Sequence, residues 1–99
     1  MNLEINRIYT FKLATGEEIV TKVLEIDSTF FKIDHPISCI LSPQGLQMMP
    51  GLFSANMDTP MQLNKSSVVL AAEAREDVRN SWIQATTGIT TVSKQIITG

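Results

Sequence analysis

A chain of 99 residues fits a single domain, since a core of this size buries most of its apolar surface without splitting. Apolar residues make up 43% of it and charged residues 18%, a thin charged covering that predicts an oligomer. Eight Lys and Arg stand against ten Asp and Glu, so no global field gathers a polyanion and any nucleic-acid site must be local.

From Arg7 to Ala14, Tyr9, Phe11 and Leu13 alternate with Thr10, Lys12 and Ala14, the period-2 pattern of a half-buried strand. Thr15-Gly16-Glu17 then predicts a tight reversal, Gly16 adopting positive φ at little cost. Glu18 to Ile26 is rich in β-branched residues and reads as a second strand, closed by Asp27-Ser28-Thr29, whose short oxygen-bearing side chains favour turns. A third strand is expected over Phe30 to Ser42. His35-Pro36 interrupts it and places a bulge, a strand end or an edge there. Pro43-Gln44-Gly45 is the next turn, and a fourth strand between Leu46 and Leu63 should be bent or split at Pro50-Gly51 and Asp58-Thr59-Pro60.

Ser66 to Glu73 predicts a short fifth strand, uncharged at its centre and therefore a poor exposed edge. A short helix follows over about 75–86, with Val78, Trp82 and Ala85 at helical spacing, acids in its first turn and Gly88 as a stop. The expected organisation is one domain over 1–88, helix included, and a tail over 89–99.

No apolar run nears the roughly 20 residues of a bilayer-spanning helix. The first six residues, Met1 to Asn6, lack the basic and apolar regions of a secretory signal, so the expected location is cytoplasmic, with no membrane partner. The single Cys39, flanked by Ile37, Ile40 and Leu41, reads as a buried thiol. With one His and one Cys there is no metal set and no Cys-His pair. Asp34 and His35, as neighbours in a strand, should face opposite sides and form no triad. No cofactor is expected, and the chain is not expected to be an enzyme.

The spacing of the first three strands says more. It runs Phe11-x-Leu13-x-x-Gly16, then Ile19-Val20, Val23, Ile26-Asp27 and Phe30. This resembles the first signature motif of the Sm-like family, in which alternating apolar residues lead to a Gly, a further Gly, and a Phe-Asp pair before a Met-Asn pair. Leu63-Asn64-Lys65-Ser66-Ser67-Val68-Val69 falls where that family places an apolar residue, Arg and Gly ahead of a β-branched strand. Among Sm-like proteins the chain is most similar to the divergent ones carried by marine bacteriophages. The family's second Gly falls on Thr21, its Asn on Phe31, its Arg on Asn64 and its following Gly on Lys65, so Asp27 alone is retained of the polar trio.

The resemblance implies an all-β fold: a small, strongly bent, five-stranded antiparallel barrel with a short C-terminal helix. It also implies a homo-oligomeric ring of five to seven subunits, closed by the fourth strand of one copy on the fifth of the next. Val68, Val69, Leu70 and Ala71 would then lie at the subunit interface, with Met48 and Met49 from the Met-rich fourth strand. RNA-binding relatives hold a uracil edge and the backbone with the Asn and the Arg. Here single-stranded RNA at a pore-side site would meet Asp27, Phe30, Phe31, Asn64 and Lys65.

The residues themselves leave alternatives open. Asp27 also suits a turn, Lys65 a solvated loop charge, and the methionines a core filling. Phe30 and Phe31 face opposite sides of a strand, so one should be core. Trp82 is expected to anchor the helix. The alternative function is a non-enzymatic assembly or protein-interaction module of a phage or its host, without RNA binding.

Overall fold

The computed structural model describes residues 2–87; the expected tail over 89–99 lies outside them. Their elements are β1 (Arg7–Leu13), β2 (Glu18–Ile26), β3 (Phe30–Ser42), β4 (Gly45–Pro50), β5 (Met61–Asn64), β6 (Val68–Glu73) and α1 (Glu76–Thr87). The second and third strands begin and end where alternation and turn chemistry put them. The first stops one residue short, at Leu13, where its pairing with β6 shifts register. The last strand starts at Val68 instead of Ser66, because Lys65–Ser67 coil into one turn of 3-10 helix.

All strands belong to one curved antiparallel sheet in the order β4-β3-β2-β1-β6, with β5 beside β3 as well. The expected fourth strand is split in two. Gly45–Pro50 pairs with the second half of β3 and Met61–Asn64 with its first half. Gly51 marks the break: its N–H donates to the Pro36 carbonyl at 2.8 Å, and a Cβ there would stand 2.9 Å from that oxygen. No side chain fits so close an approach to backbone. Gly16, at φ 94°, takes the left-handed conformation that closes the β1–β2 hairpin.

Apolar residues cover both faces of the sheet. One cluster joins Tyr9, Phe11, Ile19, Val23, Phe31 and Ile33, with Leu63 of β5 and Val68 and Ala71 of β6 packed against it. Strands from both margins of the sheet thus curl around a common core. The other cluster, under α1, joins Val20, Ile37, Val78 and Trp82, with Ile8, Cys39 and Met48 at its border.

A bulge in β3 connects the two. Val20 pairs with Ile37 but Lys22 with Asp34, so β3 carries one extra residue there, and His35 sits at φ 51°. The extra residue reverses the side-chain parity. Phe31 and Ile33 therefore face the first cluster, while Ile37 and Cys39 face the helix.

The bulge also overturns one expectation. Asp34 and His35 do not point apart: His35 Nδ1 lies 2.6 Å from Asp34 Oδ1, because the left-handed residue breaks the alternation of an extended strand. The His35 carbonyl accepts the indole N–H of Trp82 at 2.8 Å, and Thr21 Oγ1 donates to the Asp34 carbonyl at 2.7 Å. Helix, bulge and sheet are thereby joined. Cys39 is half-buried, and desolvation, with the charge of Glu18 adding, raises its thiol above the ordinary range.

Candidate functional site

The β2–β3 turn and the end of β5 meet at one rim of the sheet. The Asp27 N–H donates to the Phe30 carbonyl at 2.9 Å, and Asp27 Oδ1 accepts the Ser28 N–H at 2.6 Å, so Asp27 closes the turn while staying exposed. Asn64 stands opposite Phe30 in the ladder, and the Lys65 N–H donates to the Thr29 carbonyl at 3.0 Å. Residues far apart in sequence are thus adjacent in space.

The adjacent aromatics divide as an extended strand requires. Phe31 is the core member, 8% exposed, its ring stacked on Phe11 at 5.4 Å and 19°. Lys65 Nζ lies 5.2 Å from the same ring's centroid, a cation–π contact. A base stacking on Phe31 would have to displace that ammonium. Phe30, on the other face, is half-buried.

Beside the rim runs an open groove of about 770 Å³, lined by Leu3, Ile26, Phe31, Lys65, Val69 and Leu70 among others. Its wall is the edge strand β6. Val69 and Leu70 are 61% and 67% exposed, whereas Val68 and Ala71 pack partly into the core. At the other margin, Met48 turns inward to the cluster under α1 and Met49 outward. Met48 is therefore core filling in the single chain. Among the described residues, β6 pairs only with β1 and β4 only with β3.

Two further concavities lie away from this rim. One is an apolar groove between β4 and α1, lined by Ile37, Met48, Met49, Met57 and Ala85. The other lies where β1, the end of β6 and α1 meet, and gathers Arg7, Lys22 and Arg79. Those cations come from three elements, so no local motif announces them. No protein-family model matches the chain, and no curated protein matches it.

Proposed function

We propose that this chain is an Sm-like protein that assembles into a homo-oligomeric ring and binds single-stranded RNA at the rim formed by Asp27, Asn64 and Lys65. One observation carries the reading: those three residues converge beside an edge strand that is uncharged from Val68 to Ala72. A bare strand with exposed Val69 and Leu70 is a template for another strand. The opposite margin of the sheet, β4, is also uncharged, and joining one copy's β4 to the next copy's β6 is a head-to-tail contact, the kind that closes rings. The strand order agrees with the pairing that the resemblance implies. Symmetry would then repeat Lys65 once per subunit, supplying a local positive field that the net charge of −2 denies the single chain.

Fluorescence anisotropy with labelled oligo-U and oligo-A tests this. Binding at micromolar protein that weakens with salt and is reduced by Lys65→Ala is expected. Absence of salt-sensitive binding, or binding unaltered in that variant, contradicts it.

A second reading is favoured by the apolar groove between β4 and α1 and by the exposed Leu41 and Phe53. In it, the same ring docks a protein partner and no RNA. Capture of a partner that persists after nuclease treatment, together with no anisotropy change, selects it over the first.

A further inference from the structure

Five ion pairs of Lys or Arg with carboxylates occur among the described residues, and they engage Arg7, Lys12, Lys32 and Arg75. Lys22, Lys65 and Arg79 are the described cations that pair with no carboxylate. Lys65 belongs to the rim. The other two lie at the opposite end of β6, in one concavity of about 380 Å³ with Arg7.

Three elements bring them together. Lys22 projects from β2, and its Nζ stands 5.7 Å from the centroid of the Trp82 ring. Arg79 lies one turn before Trp82 on α1, exposed. Arg7 opens β1, and its guanidinium holds Glu4 and Glu73 at 3.1 Å each. Glu73 is the one carboxylate in the lining, and it shares Arg7 with Glu4, so Lys22 and Arg79 still outweigh the one negative charge left over. The cavity thus carries an excess of positive charge on a chain that is net acidic. Ile8, Trp82 and Ile83 supply an apolar wall.

We propose that this cavity is a phosphate-binding site, with Arg79 and Lys22 as the phosphate ligands. Arg79 offers a planar fork of donors matched to two phosphate oxygens, and Lys22 a compact ammonium that swings from the indole toward the anion. The volume lies within the range that suits a nucleotide-sized group. The ligand is a phosphate monoester or the phosphodiester of a nucleic-acid strand, the two sharing the chemistry these cations recognise. The site depends neither on the ring nor on the rim at Lys65.

Trp82 is the chain's one tryptophan, so its emission reports on Lys22. The full-length protein is titrated with inorganic phosphate, adenosine 5′-monophosphate, adenosine and a short single-stranded RNA. Saturable emission changes with phosphate and the monophosphate, and none with adenosine, are expected. Arg79→Ala, at an exposed position that leaves the fold intact by circular dichroism, should weaken binding about tenfold. Lys65→Ala should leave the Trp82 response unchanged even where it abolishes binding at the rim. A stronger response to the RNA than to the monophosphate identifies a nucleic-acid backbone as the source; a weaker one identifies a free phosphate compound. Both support the site. An equal response to adenosine, no response to any of the four probes at millimolar concentration, or undiminished affinity in Arg79→Ala overturns it.

Discussion

Trp82 ties the helix to the sheet by burial and by a directed bond. It is 1% exposed, and its N–H reaches the carbonyl of the bulged residue His35. Replacing it with Phe keeps most of the apolar burial but leaves that carbonyl without its donor. Such a loss costs about 1–2 kcal/mol, which for a domain of this size lowers the melting temperature by about 5–10 °C. Calorimetric scans of Trp82→Phe check this, and an unchanged midpoint would mean that the bond contributes nothing. Asp27 and Phe31 show how much single residues revealed beforehand. The turn position of Asp27 follows from local backbone chemistry, whereas strand alternation requires one of Phe30 and Phe31 in the core without saying which, and packing makes it Phe31. The contact of Asp34 with His35 was hidden, since it depends on a positive φ that the fold imposes at the bulge.

At the scale of elements, β6 carries the heaviest consequence. Its inward residues Val68 and Ala71 hold it to the first core cluster, while Val69 and Leu70 are largely exposed. The double variant Val69→Lys, Leu70→Lys changes positions that the single chain scarcely buries, and like charges on an edge strand oppose strand addition. Sedimentation velocity should therefore find it monomeric, with its circular dichroism retained. A variant that assembles like the parent would exclude β6 as the contact. The limits of β2 and β3 were legible because alternation and turn residues agree at both ends. The split between β4 and β5 was legible from its Pro and Gly residues. The start of β6 was less so: the 3-10 turn at Lys65–Ser67 is set by packing against β3, with Lys65 held by the Thr29 carbonyl, and not by any breaker in the sequence.

On the whole molecule, the sheet's curvature lets one core draw on strands from both of its margins, while among the described residues β4 and β6 each pair with a single neighbouring strand. Asp27, Asn64 and Lys65 were named together only through the family resemblance, and the fold brings their backbones to one end of the sheet. The cluster of Arg7, Lys22 and Arg79 was not visible, because tertiary packing alone assembles it. Ring formation is the central claim, since both the repeated Lys65 and the use of the uncharged strands follow from it. Static light scattering on the eluting peak at micromolar concentration tests it most directly. A closed ring gives one particle of roughly five to seven chain masses. A peak at the mass of one chain would contradict it.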